Sequence, residues 1–292
     1  MLAKIKRYWF CYVWIAPFFL LFLVFQAYPF VNSFFISLFD WSGFTAARFI
    51  GLENFAELFQ DELFYRSLVN NVVLWALIIP LRTFIALLLA AILNSPKVRA
   101  KAAFRIVYLL PHITAIVLVA VIFRMLLATN GGMVNLLLGR VFGMEPIEWL
   151  TSTRWSKVSI AMMNIWRNTG YFMIIMLAGM QRIPIDFYES AEIDGAGPVR
   201  QFLHITVPLM RPVIFFVVTV SSIWIFQAFA EALVLTEGGP QFSSTPIMLL
   251  MYRNAFEYFN VGYAGAITVV TFALILSISM AQLRLYGRGD TV

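Results

Sequence analysis

Residues 189–208 read ESAEIDGAGPVRQFLHITVP, a polar island in a chain otherwise built from long apolar runs. Its local signals describe an elbow. Pro184 opens a short helix, because its missing N–H would go unpaired in the first turn in any case. Asp186 and Glu189 then stand near the N-terminus, where the helix dipole favours negative charge. Gly195, following Asp194, suits a left-handed helix stop. Pro198 opens a second short helix, which Pro208 ends or kinks. On that helix Phe202 and Ile205 share one face at i and i+3, and Arg200 and His204 share another at i and i+4. Such a segment between membrane spans has little packing to do in a bilayer. It reads as a surface presented to another protein.

What surrounds the island sets the fold class. The chain has 292 residues, of which 61% are hydrophobic and 12% charged, whereas a soluble domain carries about 25% charge. Apolar runs cover roughly 9–30, 69–93, 105–127, 158–180, 212–234 and 262–284, each long enough to cross ~30 Å of hydrocarbon as a helix. In lipid the backbone must satisfy itself, as helices or a closed barrel, and runs without strict alternation exclude the barrel. The expectation is an all-α membrane protein with six transmembrane helices in a single domain over 1–292. The first run continues to about Phe39, too long for a signal core of ~7–15 residues, and no clean small-residue cleavage site follows. It reads as a retained anchor that bends near Pro17 or Pro29.

The formal charge is +6. Basic residues collect on the cytoplasmic flanks of membrane proteins, so this charge points to membrane lipid and not to nucleic acid. Lys4, Lys6, Arg7, Lys97, Arg99, Lys101, Arg105, Arg182, Arg200, Arg211, Arg284 and Arg288 fall on one side of the spans, against Arg48, Arg66, Arg140, Arg154, Lys157 and Arg253 on the other. The bias places both termini inside, the loop 181–211 in the cytoplasm, and the loops 31–68, 128–157 and 235–261 outside. Arg82 and Arg167 lie near mid-span, where a charge costs roughly 2.5–3.5 kcal/mol. Arg124 is nearer an outer end and is expected to snorkel. With Cys11 the single cysteine, and His112 and His204 far apart, no intrachain disulfide or metal cluster is expected. The methionines Met125, Met162, Met163, Met173, Met176 and Met180 read as packing material.

The island also resembles a known motif. Membrane subunits of ATP-binding-cassette importers carry a cytoplasmic sequence written EAA, three residues, Gly, nine residues, Ile, any residue, Leu, Pro. This chain has Glu189-Ser190-Ala191, then Gly195, then Ile205-Thr206-Val207-Pro208, with the spacing kept throughout and Ser190 and Val207 as departures. Tyr28-Pro29, FIGLENFAELF (49–59), LLPHITAIVLVAVIFRMLL (109–127) and GGP (238–240) are similar to carbohydrate-type permeases of the maltose and glycerol-3-phosphate branch. The resemblance implies a type I importer permease in the bacterial cytoplasmic membrane. It implies partners: two ATPase subunits, a second and different permease chain, and an external solute-binding protein. ATP and Mg would be held by the ATPases, and no cofactor by this chain. Glu189 would be the acidic contact to an ATPase, Gly195 would permit the sharp turn, and Ser190, Ala191, Asp194, Ile205 and Pro208 complete the coupling motif. Consistent with that division, no GxxxxGK[ST] phosphate loop occurs in the chain.

A solute path is sought where polar groups enter the spans. Asn164, Asn168 and Tyr171 share a face of the fourth span at i, i+4 and i+7. Trp224, Gln227 and Glu231 share a face of the fifth at i, i+3 and i+7. Amides bind sugar hydroxyls and aromatic rings cover a sugar's apolar face, so these residues and Arg167 are its candidate lining. The same residue types also glue helices together and anchor them at interfaces. Arg167 and Glu231 are not expected to pair, since their depths differ by ~10 Å at 1.5 Å per residue. The rival function is a secondary transporter driven by an ion gradient. It would need an Asp, Glu or His relay in the membrane, and only Glu231 and His112 approach that role. An intramembrane enzyme has no nucleophile–base pair in its favour.

Overall fold

The computed structural model describes residues 9–287; Lys4, Lys6, Arg7 and Arg288 lie outside them. The described residues form two compact units, one of those up to 61 with 251–273 and the other of 62–250 with those from 274 onward.

In the smaller unit, α1 (Trp9–Phe22) continues through the π-helical turn Leu23–Ala27 into α2 (Tyr28–Ile36). Pro17 lies inside α1 without ending it. The widened turn comes two residues before Pro29 and has a reason. A proline ring collides with the carbonyl four residues back, and an i→i+5 turn moves that carbonyl aside. A two-residue antiparallel pair follows, Phe39 opposite Phe49 and Asp40 opposite Arg48, then α3 (Glu53–Leu58). Buried Asn54 donates to the carbonyls of Ser37 at 2.8 Å and Phe39 at 3.0 Å, which fixes the chain reversal after α2.

The larger unit is built on α4 (Glu62–Asn94), followed by α5 (Lys101–Ile113), α6 (Ile116–Leu126), α7 (Met133–Phe142) and α8 (Trp155–Met180). Its core joins Ala86, Leu87, Ala90 and Leu93 of α4 to Phe172, Met173, Met176, Leu177 and Met180 of α8. Small residues at 86 and 90 let the two backbones approach, the usual device where lipid removes the hydrophobic drive between helices. Gly170 does the same on another face. A Cβ there would lie inside contact distance of the Tyr108 carbonyl oxygen, so α5 can press against α8 only because Gly170 has none.

After α8 come α9 (Asp186–Ile193), α10 (Pro198–Gln201), the π turn Phe202–Thr206 and α11 (Val207–Leu209). Next are α12 (Arg211–Phe226), α13 (Ala230–Leu235), α14 (Ile247–Tyr252) and α15 (Val261–Gly287).

Among the described residues, Trp9–Ile36, Glu62–Asn94 and Val261–Arg284 are helices long and apolar enough to cross a membrane, and two bent pairs raise the number to five. Those pairs are α5 with α6, bent by 91°, and Pro198–Leu209 with Arg211–Phe226, bent by 66°. The uninterrupted helices expected over 105–127 and 212–234 are therefore broken. The first breaks where Thr114 and Ala115 turn extended, with Pro111 just upstream. The second stops at Phe226, and α13 restarts at Ala230. The expected 158–180 lies within α8, which is not apolar enough to join the candidates. Its buried residues include Ser159, Asn164, Asn168 and Thr169, side chains that a helix surrounded by protein can carry and one facing lipid cannot.

Candidate functional site

The elbow forms from the residues whose signals announced it. Asp186 and Glu189 occupy the first turn of α9. At its end Gly195 adopts φ +76. The Gly195 amide donates to Glu192 O at 3.0 Å and the Ala196 amide to Ala191 O at 2.8 Å. That is the paired 5→2 and 6→1 closure of a Schellman stop. Pro198 then opens α10, and the Gln201 amide nitrogen ties back to Ala196 O at 2.9 Å. Pro208 does not end this second helix. The π turn Phe202–Thr206 absorbs it, as the turn before Pro29 absorbs that proline, and the sharp bend comes two residues later at Met210.

The wider turn alters the faces. Phe202 and Val207, five apart, both pack on the core of the larger unit, and the His204 ring bonds to the Arg200 carbonyl at 3.0 Å. Tyr188 Oη and Thr206 Oγ1, 2.9 Å apart, fasten the two arms of the elbow together. Glu189, Ser190, Asp194 and Gly195 are exposed, while Ala191, Ile205 and Pro208 are partly covered. Among the acids stand Phe187 and Ile193 (88% exposed), and past the turn stands Val199 (72% exposed). The elbow thus offers carboxylates and uncovered apolar side chains together, the mix found where a protein partner docks.

The polar residues of α8 and α12–α13 gather as well, in two linked groups. In the first, Arg82 Nη1 donates to Asn164 Oδ1 at 2.8 Å, and Asn164 Nδ2 donates to Glu231 Oε1 at 3.1 Å. Arg82 is 1% exposed and its guanidinium lies 4.4 Å from the centre of the Phe172 ring. One amide thus joins a buried cation to a buried carboxylate, accepting from one and donating to the other. In the second group, His112 Nδ1 and Asn168 Oδ1 are 3.0 Å apart, and Arg167 donates to Asn168 Oδ1 at 3.2 Å and to His112 O at 3.0 Å. His112 stacks on Tyr171 at 4.5 Å between ring centres and lies parallel to Trp224 at 6.1 Å. Arg167 reaches the carbonyl end of α5, where the helix dipole attracts a cation.

Of the seven residues read as a solute lining, Asn164 and Glu231 fall in the first group, and Arg167, Asn168, Tyr171 and Trp224 in the second. Gln227 joins neither. It is exposed at the end of α12, and the break from 227 to 229 removes the helical face it would have shared with Trp224 and Glu231. Arg167 bonds toward α5 rather than to Glu231. Arg82 and His112 are central to the cluster although neither was in the expected lining. Their signals were a charge at mid-span and a histidine beside Pro111. Arg124 does more than snorkel: it pairs with Glu237 Oε1 at 3.0 Å.

Comparison with known proteins bears on this arrangement. The family described as "Binding-protein-dependent transport system inner membrane component" matches residues 82–285, a stretch that holds both the elbow and the polar cluster. The probable ABC transporter permease protein YurN of Bacillus subtilis is 35% identical over 274 residues, 92% of this chain and 94% of that protein. The lactose transport system permease protein LacF of Rhizobium radiobacter is 34% identical over 285 residues, 96% of this chain and 95% of that one. Among solved structures, a chain of a bacterial alginate ABC transporter, in complex with an alginate pentasaccharide-bound periplasmic protein, superposes with a TM-score of 0.86 at 26% identity, covering 100% of this chain and 99% of that one. The chain belongs to the inner membrane components of binding-protein-dependent transport systems, among relatives that are permeases of sugar ABC transporters.

Proposed function

We propose that this chain is one permease half of an ATP-driven importer that carries a sugar or sugar-like solute across the bacterial cytoplasmic membrane. It crosses the membrane six times, with both termini in the cytoplasm and α8 as the sheltered span. Two ATPase subunits, which hold the ATP and Mg, engage the elbow in the 181–211 loop. A second, different permease chain completes the pathway, and an extracytoplasmic solute-binding protein meets the outer loops 31–68, 128–157 and 235–261. The polar cluster around Asn164, Arg167, Asn168, Tyr171, Trp224 and Glu231 borders the solute path. The lactose permease relative and the complex with an oligosaccharide-loaded periplasmic protein support a carbohydrate and a delivery protein.

The observation that carries this reading is the elbow: four acids and three uncovered apolar side chains on two short helices, fixed by a left-handed glycine. ATP-driven closure of the cytoplasmic ATPase pair would push on α9, and the joint from α11 to α12 would pass the movement into the spans. The test is transport by the assembled system carrying Glu189→Lys or Gly195→Pro. Proline cannot adopt the φ of +76 found at this position. Both variants should insert and fold normally yet fail to transport. Wild-type transport in both would remove the docking assignment.

A further inference from the structure

Away from the polar cluster, the larger unit has an open cleft of about 460 Å³. Tyr65, Arg66 and Asn70 near the start of α4, Lys157 at the start of α8, and Gln241 and Ser243 in the loop after α13 line it. Side chains hold three consecutive carbonyls of that loop. Arg66 donates to Gln241 O at 3.0 Å, Asn70 to Phe242 O at 2.9 Å and Lys157 to Ser243 O at 2.7 Å. Gln241 and Phe242 stand at φ 49 and 60, a left-handed backbone unfavourable for residues with side chains. The loop is held there by two helices, and the two cations are fixed in return.

Those cations are satisfied only by neutral oxygens. Among the described residues neither Arg66 nor Lys157 forms an ion pair. Burial first, and then the charge of Arg66, push the Lys157 ammonium below the usual lysine range. Glu62 stands on the rim, which leaves the cleft with one positive charge in excess.

Depth and surroundings narrow the class of anion that suits the cleft. The spans read from the sequence begin at 69 on α4 and at 158 on α8. At 1.5 Å per residue Arg66 then lies ~4.5 Å and Lys157 ~1.5 Å beyond the hydrocarbon edge, the level of lipid headgroups. Tyr65, Val69 and Val72, at i, i+4 and i+7 on α4, are all exposed. They make an apolar stripe running from the cleft toward the bilayer centre, with a tyrosine at the interface level. The solute-binding protein of the proposed function would reach these loops from water and has no use for a stripe that continues below them on α4; an acyl chain below a headgroup does.

We propose that the cleft binds the phosphate diester of an anionic phospholipid, with Arg66 and Lys157 on its oxygens and the 65–69–72 stripe along its acyl chain. The assignment rests on the span reading in the proposed function. The test uses the full-length chain in neutral detergent, titrated with phosphatidylglycerol or phosphatidylcholine and followed by native mass spectrometry. Each cation at a membrane surface contributes about fivefold in affinity, so Arg66→Gln with Lys157→Gln should weaken phosphatidylglycerol by about 30-fold. Arg66→Lys with Lys157→Arg keeps both charges and should keep the preference, which guards against mere misfolding of the neutral variant. Glu62→Gln should strengthen binding.

Equal retention of the two lipids, or a phosphatidylglycerol preference that survives in the neutral variant, overturns the proposal. Soluble glycerol phosphate that competes as strongly as the lipid overturns it in favour of a free-phosphate site. A polyglutamate peptide that binds where phosphatidylglycerol does not overturns it in favour of an acidic protein. A spin label at Val69→Cys, in a Cys11→Ser background, separates failure of the lipid site from failure of the membrane placement. A label at the hydrocarbon edge without lipid preference removes only the lipid site; a label in bulk water removes the span reading with it.

Discussion

Asn164 is the narrowest joint in the buried network, and Asn164→Leu tests it. Leucine repeats the branching of asparagine's four side-chain heavy atoms, with methyl groups as the added bulk. It takes away the acceptor for Arg82 and the donor for Glu231. Arg82 already has Nε and Nη2 without a hydrogen-bond partner among the described residues, and the substitution leaves its third nitrogen in the same state. Two hydrogen bonds to charged groups are worth about 3–6 kcal/mol by soluble-protein values. Inter-helix hydrogen bonds in membranes measure lower, about 0.6 and at most ~1.7 kcal/mol each. Between these bounds the expected loss is about 2–4 kcal/mol, or roughly 5–10 °C in a thermal scan of a domain this size. A second variant sharpens the test. Replacing the whole network, Arg82→Met with Asn164→Leu and Glu231→Leu, removes the buried charges along with their partner, and apolar replacement of a buried ionic network is often neutral or stabilising. The triple variant should therefore be at least as stable as Asn164→Leu alone. The assay is thermal unfolding of the purified chain in one detergent. A structural role for the Asn164 bridge is refuted if Asn164→Leu unfolds within ~1 °C of the parent, or if the triple variant loses the sum of its single losses.

Three further outcomes follow from the geometry. Gly195→Ala meets no atom within 4 Å of the new Cβ, so its cost is purely conformational, about 1–2 kcal/mol; amide exchange at Ala196 should speed up while the unfolding temperature of the spans stays put. Gly170→Ala drives a methyl into the Tyr108 carbonyl and should cost about 1–3 kcal/mol as α5 is forced off α8, read as a lower unfolding temperature. Asn54→Ala strips one hydrogen bond from the buried Ser37 carbonyl and one from the partly buried Phe39 carbonyl, each worth about 1 kcal/mol plus, at Ser37, the cost of leaving an acceptor bare; protease cutting between 37 and 52 should rise severalfold.

What the sequence made legible was local. Gly195 after Asp194, Pro198 at a helix start and acids in a first turn are signals read within four residues, and the elbow follows them. Long apolar runs likewise located α4 and α15. The break at 227–229 left no such trace. Gln227-Ala228-Phe229 contains neither proline nor glycine, so hydropathy continues across a place where the helix stops. Pro208 was visible, but its effect depended on a π turn that moved the bend to Met210. The cluster's partners lay beyond any local reading. Arg82 and Asn164 are 82 residues apart, and only the packing of α4 on α8 brings them together. Arg167 illustrates the same limit: its partners are carbonyls freed by a break in another helix, an opportunity absent from any one-dimensional pattern.

Under the proposed coupling, the 66° bend at Met210 would make α12 a lever. Met210 is 1% exposed, and the backbone bonds on both sides of it are intact, from Met210 N to Thr206 O and from Ile214 N to Met210 O. The two arms are therefore stiff and meet at a buried fulcrum. α12 has 16 residues, hence a length of about 24 Å, and tipping it by about 5° swings its far end by about 2 Å. That far end is Phe226, beyond Trp224 and before Glu231. A swing of about 2 Å at that end is large against the contacts of Trp224, whose ring centre lies 5.4 Å from those of Tyr171 and Phe172.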